Sequence, residues 1–223
     1  MALSLVSVAT GNDTTSVAIP TTASVGDLFI LVDSCSQTSA ITTVVPANYT
    51  ELNTNYSDQQ VPTLRYKTTI SSRILPVAGS ANVTGMPSTA GTVIKVGLLY
   101  RPDKGISSVT YNDNGFQVVS GAVSLTTQIV SAQPATNSAI VMAQWRTQTT
   151  SVITSALFTA TPDVTVAVAS GHTFKAVLYN TNPINVSAGM PTITGTTGFY
   201  ALESNYIQVT ERTSTGDFMP FFQ

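Results

Sequence analysis

Few residues of this chain could support nucleophilic or metal chemistry. His172 is the one histidine and Cys35 the one cysteine among 223 residues. A serine–histidine–acid hydrolase would need His172 beside a serine and an acid, but no Gly-x-Ser-x-Gly turn frames any serine. One cysteine excludes an internal disulfide, and with one histidine it cannot supply the usual zinc ligands. We therefore predict that His172 lies at a strand edge, that Cys35 is a small buried or half-buried residue, and that the chain has no catalytic, cofactor-binding or metal-binding residues.

Paired carboxylates offer a second route to catalysis, because glycosidases act through two acidic side chains. Asp27 with Asp33, and Asp103 with Asp113, are the candidate pairs. The eleven acidic residues are dispersed through segments where turns are expected, so a role in turns explains them as well. A polysaccharide hydrolase therefore ranks third among the functions considered.

Aromatic side chains could form a platform for sugars. Tyrosines lie in or beside the strands predicted in the first half of the chain, namely Tyr49, Tyr56, Tyr66, Tyr100 and Tyr111. Aromatic rings stack against sugars in many sandwich proteins, but a tyrosine also packs inside a sandwich. Both interpretations stay open, and the first makes a host-surface glycan a candidate ligand.

The composition limits the partners. Charged residues make up 9% of the chain and its net charge is −2, so no basic surface attracts nucleic acid or an anionic membrane. Hydrophobic residues make up 43%, which is enough to build a core. No apolar run approaches the ~20 residues that span a bilayer, and the start lacks the basic region of a signal peptide. We expect synthesis in a bacterial cytoplasm without a signal peptide and without membrane insertion.

Short strand signals separated by turn residues predict an all-β fold. Leu28–Val32 is a continuous apolar run, which is typical of a strand buried on both faces. Asn112-Asp113-Asn114-Gly115 lies between two strand-like segments and predicts a hairpin. We predict an antiparallel β-sandwich of jelly-roll type over residues 1–182, followed by an extension over residues 183–223 that makes assembly contacts.

A weak internal similarity suggests a duplicated half-unit. Gly91–Tyr100 resembles Gly171–Tyr179, and a buried-looking strand precedes each of them, Leu28–Val32 and Ala139–Gln144. Two Greek keys that form a jelly roll would produce such a repeat. A Val- and Thr-rich β protein also resembles itself by chance, so the sequence leaves both explanations open.

The end of the sequence is apolar for a solvent-exposed segment, with three phenylalanines beside Met219 and Pro220. We predict that Phe218, Phe221 and Phe222 dock against another polypeptide, either a symmetry copy or an anchoring protein. A homo-oligomer is then expected. The alternative folds this segment back onto its own sandwich, with Tyr206–Val209 pairing as an additional edge strand.

Four motifs in a fixed order carry a resemblance to a known class of proteins. They are Val25-Gly26-Asp27-Leu28-Phe29-Ile30-Leu31-Val32, Pro46-Ala47-Asn48-Tyr49-Thr50-Glu51-Leu52, Leu64-Arg65-Tyr66-Lys67 and Leu98-Leu99-Tyr100-Arg101. The series resembles tailed-phage virion proteins whose β-sandwich has Gly-Asp-Leu-Leu-Val, Pro-x-Gly-Trp-Thr-x-Leu, Tyr-x-Arg/Lys and Tyr-Arg in that order. The likeness covers about residues 15–180, and Asn48-Tyr49 stands where the pattern often has Gly-Trp. Members look like tail-fibre, tail-tip or capsid-surface proteins, and no catalytic residues are implied.

The resemblance implies a non-enzymatic structural protein at the periphery of a tailed-phage virion, on the tail or as a capsid decoration. Its expected partners are other virion proteins and further copies of the chain. The main alternative is a carbohydrate-binding adhesin that recognises host-surface glycans.

Overall fold

The computed structural model describes residues 3–11, 16–37, 41, 43–57, 65–79, 82–86, 92–117, 124–126, 138–147, 151–154, 164–168, 172–180, 192–195 and 199–212. Every regular element in these ranges is a β-strand. The chain contains 36 Thr and 24 Ser among its 223 residues, and Thr, like Val, favours the extended backbone.

The first half of the chain forms one five-stranded antiparallel sheet and a small two-stranded sheet. Its strands are β1 (Leu3–Thr10), β2 (Val17–Ala18), β3 (Leu28–Gln37), β4 (Thr50–Ser57), β5 (Arg65–Ile74), β6 (Asn82–Val83) and β7 (Thr92–Pro102). The long strands have the order β1-β7-β3-β5-β4, and β2 pairs with β6. Strand β3 is therefore the centre of the first sheet.

The second half forms a second five-stranded antiparallel sheet and a three-stranded one. Its strands are β8 (Ile106–Gln117), β9 (Ser124–Thr126), β10 (Ser138–Thr147), β11 (Ser151–Thr154), β12 (Val164–Val168), β13 (His172–Tyr179), β14 (Thr192–Gly195) and β15 (Phe199–Glu211). The long strands have the order β12-β13-β10-β15-β8, and the short ones the order β11-β14-β9. Strand β10 is the centre of the second sheet.

The two halves repeat one strand order. If the long strands of each half are numbered along the chain, both sheets have the order first, fifth, second, fourth, third. The short strands repeat too, because the pairs β2–β6 and β9–β14 occupy the same places between long strands. The ladders fix the equivalence residue by residue: the inward-facing Ile30 pairs with Leu98, and Ile140 pairs with Ile207. The fold is duplicated.

The similarity seen in the sequence only partly follows this duplication. Gly91–Tyr100 covers most of β7, whose equivalent is β15, whereas Gly171–Tyr179 covers β13, whose equivalent is β5. The preceding segments Leu28–Val32 and Ala139–Gln144 do lie in equivalent strands, β3 and β10. The antiparallel all-β sandwich is confirmed. The jelly-roll strand order is not, because each sheet is built from one contiguous half of the chain.

The main core lies between the two five-stranded sheets. Ile30 and Leu98 from the first sheet pack in one cluster with Ile140, Phe174 and Ile207 from the second. All five side chains are at least 99% buried. Burying a large apolar side chain contributes about 1.5–3 kcal/mol, so this interface is the main source of stability.

Strand β3 is buried on both faces, as its apolar run predicted. Ile30 and its even-numbered neighbours face the second sheet, whereas Phe29 and Leu31 point the other way. On that outer face they pack against Val17 of β2 and Val83 of β6. The two-stranded sheet therefore covers the outer face of the first sheet.

The predicted hairpin at Asn112–Gly115 is wrong. Strand β8 runs without a turn through this segment and pairs with β15 along its length. Asn112 is the extra residue of a β-bulge, because Tyr111 pairs with Ile207 and Asp113 with Tyr206. A β-bulge bends the strand locally, so residues that favour turns can occur there without ending the strand.

The sandwich extends past the predicted boundary at residue 182. Strand β15 lies between β10 and β8, so the second sheet is complete only at Glu211. Tyr206–Val209 do pair, but within an interior strand rather than at an edge. Only residues after Arg212 can form an extension, and residues 213–223, with Phe218, Phe221 and Phe222, lie outside the described residues.

The space at Gly97 shows how tightly the β2–β6 layer packs on the first sheet. A Cβ at Gly97 would overlap the Phe29 ring and press on Val17. We expect Gly97→Ala to lower the free energy of unfolding by about 2 kcal/mol, measured by urea denaturation, because overpacking a full core forces side chains to move. Phe29→Leu should recover part of this loss in the double variant, and strictly additive effects of the two substitutions would contradict the packing.

Candidate functional site

An ion pair joins two of the family-like motifs at one end of the first sheet. Arg101 donates from Nε to Asp27 Oδ1 (3.0 Å) and from Nη2 to Asp27 Oδ2 (2.8 Å). Asp27 is buried and also accepts the Ser24 amide hydrogen (2.8 Å), which closes the turn that begins β3. The hydrogen bonds and the charge of Asp27 raise the pKa of Arg101. Because Leu28 pairs with Tyr100, the Gly-Asp and Tyr-Arg motifs form one clasp.

The Pro-x-Asn-Tyr motif supports the outer layer. Asn48 has φ = 67°, a left-handed conformation that glycine adopts freely and that asparagine tolerates better than most other residues. Tyr49 follows and contacts the edge of Phe29, with ring centroids 6.4 Å apart, while the Arg73 guanidinium lies 5.8 Å from the Tyr49 centroid. Burial raises the pKa of Tyr49 to about 12 despite the opposing charge of Arg73. The motif residues thus have structural roles.

A buried polar cluster centred on Glu203 connects the two sheets. The Glu203 carboxylate accepts hydrogen bonds from Asn55 Nδ2 (2.7 Å), Gln144 Nε2 (2.8 Å) and Asn205 Nδ2 (3.0 Å). Gln144 also donates to Thr68 Oγ1 (2.8 Å). Glu203 is fully buried, and burial raises its pKa, an effect that the amide hydrogen bonds, beginning with Asn55, oppose. Asn55 and Thr68 belong to the first sheet and the other three to the second.

The cluster continues toward the edge strands. Asn53 on β4 donates to Tyr111 Oη on β8 (2.9 Å) and to Asn205 Oδ1 (3.2 Å), and Tyr111 donates to the same oxygen (3.0 Å). Next to the cluster, the ring centroids of His172 and Tyr66 lie 5.9 Å apart, and Tyr66 is two residues from Thr68 on β5. Sequence reasoning missed Glu203 because its partners lie up to 148 residues away in the chain. A single acid in the otherwise uncharged segment 199–210 was the available signal.

Another buried carboxylate, Asp33, lies on the outer face of the first sheet. Its neighbours across the ladders are Lys95 on β7 and Thr69 on β5, and Oδ2 accepts no hydrogen bond within the structure. Thr43, in the segment after β3, shares a hydrogen bond with Thr69 (2.6 Å). Burial raises the pKa of Asp33 to about 6, and the charges of Lys95 and Lys67 limit the rise.

A surface groove lies between the β4–β5 edge of the first sheet and the start of β8. It has a volume of about 340 Å³. Four hydroxylated residues line it, namely Thr50, Ser72, Ser107 and Ser108. Thr50 and the two serines of β8 are exposed, so the groove is open to solvent.

Among the described side chains, those singled out in the sequence as candidates for catalysis do not lie together. His172 is the first residue of β13, which lies between β12 and β10, so the prediction of a position at a strand edge is wrong and the side chain is fully buried. Cys35 is buried. Asp27 is engaged by Arg101, and Asp33 lies about 20 Å further along β3 at ~3.3 Å per residue, too far for a glycosidase pair. Asp103 is exposed, and the side chain of Asp113 lies outside the described part.

Of the two interpretations of the tyrosines, the described side chains do not form a platform for sugars. Tyr66 and Tyr100 are buried in the sandwich, Tyr49 packs on Phe29, and Tyr111 joins the polar cluster. The side chain of Tyr56 lies outside the described residues. For the four described tyrosines, packing within the sandwich is the correct interpretation.

Within the described ranges, no group of three His, Cys, Asp or Glu side chains is placed to hold a metal ion. No helix in that part of the chain is long and apolar enough to cross a membrane. Comparison of the chain with protein-family models, curated proteins and solved structures finds no match.

Asp33 makes stability depend on pH. A folded-state pKa of about 6, against 3.8 for the free side chain, means that the folded state binds this proton more tightly. Its stabilising contribution is therefore full below about pH 4 and is lost as the pH rises through 6. At 1.36 kcal/mol per pKa unit, we expect the wild type to lose about 2.4 kcal/mol of unfolding free energy relative to Asp33→Asn between pH 4 and 7.5. Urea denaturation measures this, with exposed Asp103→Asn as the control, and parallel pH profiles for wild type and Asp33→Asn would refute it.

Glu203 holds the polar cluster together. Glu203→Ala would remove the acceptor of two buried amides, those of Gln144 and Asn205, and of the half-buried Asn55 amide, and we expect a loss of about 4 kcal/mol of unfolding free energy at pH 7. Glu203→Gln keeps one acceptor and should cost about half as much. The matched control is the exposed Glu51→Ala, expected within about 0.5 kcal/mol of the wild type. Chemical denaturation gives the values, and equal stability of the Glu203→Ala and Glu51→Ala variants would contradict the role of the cluster.

Proposed function

We propose that this chain is a non-enzymatic structural protein of a tailed-phage virion, located at the tail fibre, the tail tip or the capsid surface. It acts by contact with other virion proteins and with further copies of itself. The observation that carries the proposal is the clasp between Asp27 and Arg101, which unites motifs that lie 74 residues apart in the chain.

The clasp supports the family resemblance because it gives the separate motifs one physical purpose. Gly26, with φ = 86°, makes the turn that precedes Asp27, and Arg101 is the next-to-last residue of the neighbouring strand β7. Asn48 supplies the left-handed turn where the family pattern has glycine. Residues that hold one end of a sheet together are expected in every protein built on the same sandwich, whatever partner each protein binds. The resemblance therefore rests on residues that build the sandwich.

The balance of forces also suits a particle protein. Charged residues make up 9% of the chain, and the core between the sheets is apolar over most of its area. Exposed ion pairs weaken as salt rises, whereas burial of apolar surface does not depend on them. Such a sandwich keeps its stability when a particle passes between media of different ionic strength.

The proposed docking segment is the end of the chain. The described chain leaves the sandwich at Arg212, which is exposed and donates its amide hydrogen to Gly105 (3.1 Å). Eleven residues follow, including Phe218, Phe221 and Phe222. Burial of three phenylalanines against a partner would supply about 1.5–3 kcal/mol each, enough to offset much of the entropy lost on ordering the segment.

The experiment tests location and docking together. Particles are purified by density gradient from lysates of cells that produce the chain, and antibody against the whole chain is used for immunogold labelling. We expect the full chain to band with particles and gold to mark the tail or capsid surface. A variant lacking residues 214–223 should keep its melting temperature within a few degrees, because β15 remains whole, yet be missing from the particles.

The exposed Lys104→Ala variant is the control for this experiment and should be incorporated normally. Recovery of the full chain only in the soluble fraction would reject the virion role. Unfolding of the truncated monomer would show that the segment belongs to the core, and normal incorporation of the truncated chain would reject its docking.

A further inference from the structure

The two sheets meet at two equivalent places in the duplicated fold. Hydrogen bonds close one of these junctions, and the groove beside Ser107 lies at the other, which is open. In the closed junction, Asn180 follows β13 and binds the main chain of Leu3 in β1. The Leu3 amide hydrogen is donated to Asn180 Oδ1 (2.9 Å), and Asn180 Nδ2 donates to the Leu3 carbonyl (2.7 Å). The Ser138 hydroxyl holds the same amide from the side (2.7 Å). This amide joins β1, an edge strand of the first sheet, to the end of β13 in the second sheet.

The duplicated ladders identify the residues that stand at the second junction. Strands β3 and β10 align from their first residues, so that Ile74, the partner of Leu28, is the equivalent of Asn180 beside Ser138. Leu3 and Ile106 pair with the equivalent last residues of β7 and β15. An isoleucine side chain has no hydrogen-bonding group, so it cannot join the sheet edges as the amide does. The groove occupies this junction, between Ile74 and the residues after Ile106.

The lining of the groove favours a ligand rich in hydroxyl groups. Thr50, Ser72, Ser107 and Ser108 each carry a hydroxyl that both donates and accepts hydrogen bonds, and the Asn48 amide does both as well. These are the complements of sugar hydroxyls, which likewise donate and accept. A purely apolar ligand would leave this set of polar groups unpaired, which is costly.

Apolar residues in the groove complete the match. Ile74, Pro76 and Val109 contribute surface on which the C–H faces of a sugar ring can pack. The volume of about 340 Å³ lies within the ~300–1,000 Å³ typical of sites for small molecules. Because the groove is open to solvent along β4 and β8, a longer chain could continue out of it.

We propose that this groove is a saccharide-binding site, in which a short segment of a glycan bonds to the hydroxyls of β4, β5 and β8 and packs on Ile74. The site uses hydroxyls and aliphatic surface where the sequence suggested tyrosines. It does not depend on the assembly role, since it lies on the sandwich itself and involves none of the residues after Arg212.

The test uses the full chain. A glycan array finds the saccharides bound, and titration calorimetry with the strongest of them gives the affinity. We expect the double variant Thr50→Val, Ser108→Ala to bind about tenfold more weakly, from the loss of two hydrogen bonds. Ser107→Trp, which fills the groove, should abolish binding. Circular dichroism and the melting temperature verify that each variant is folded.

The matched control is Ser4→Ala. Ser4 pairs with Arg101 as Ser108 pairs with Thr210, so it is the equivalent exposed serine at the closed junction. Its replacement should change the affinity less than twofold. The proposal is overturned if no saccharide binds the wild type, or if the groove variants bind as the control does. Neither result bears on particle incorporation, so the two proposals fail separately.

Discussion

The central strand of each sheet has no face that meets water, and most of the architecture follows from this constraint. In β3, Ile30 faces the opposite sheet and Phe29 faces the β2–β6 layer. In β10, Ile140 faces the same interface, and Val141 on the other side is buried as well. A strand of this kind is stable only between two covering layers. Each half therefore needs the other half on its inner face, and the first half brings its own short strands to cover the outer one.

The parts of the structure that depend on local sequence could be predicted, and those that depend on distant partners could not. The apolar run at Leu28–Val32 identifies a doubly buried strand because every residue in it must avoid water. Asn112–Gly115 misleads because the same residues favour a turn and a bulge, and only the pairing with β15 decides between them. The groove was invisible for a different reason: it depends on Ile74 standing where the other half has Asn180, a comparison that requires the ladders. The tyrosines of the first half could not be assigned from composition, because the presence of a tyrosine in a strand does not show whether its side chain faces the core or the solvent.

The interface between the two halves is polar around Glu203 and Asn55 and apolar around the equivalent residues Ile94 and Val166. Glu203 is the equivalent of Ile94, and Asn55 the equivalent of Val166, by the registers of the two sheets. If two first halves paired, Asn55 would face Ile94 without an acceptor. If two second halves paired, Glu203 would be buried against Val166. Both pairings would leave polar groups unsatisfied, which is how interfaces discriminate against wrong partners. The Glu203 cluster therefore specifies the union of unlike halves while the apolar side supplies most of the stabilisation.

Because each sheet is contiguous in sequence, the order of synthesis matters to this protein. The first sheet is complete at Pro102, while the second closes only when β15 has been made, ending at Glu211. At ~5–20 residues per second, a ribosome needs roughly 5–20 s to make the second half. During that interval the inner face of the nascent first sheet, with Ile30 and Leu98, has no partner on its own chain. Translation therefore passes through a stage at which all the strands of the first half have been made but the second half that covers them has not, and the amides of Asn53 and Asn55 make the uncovered face less apolar.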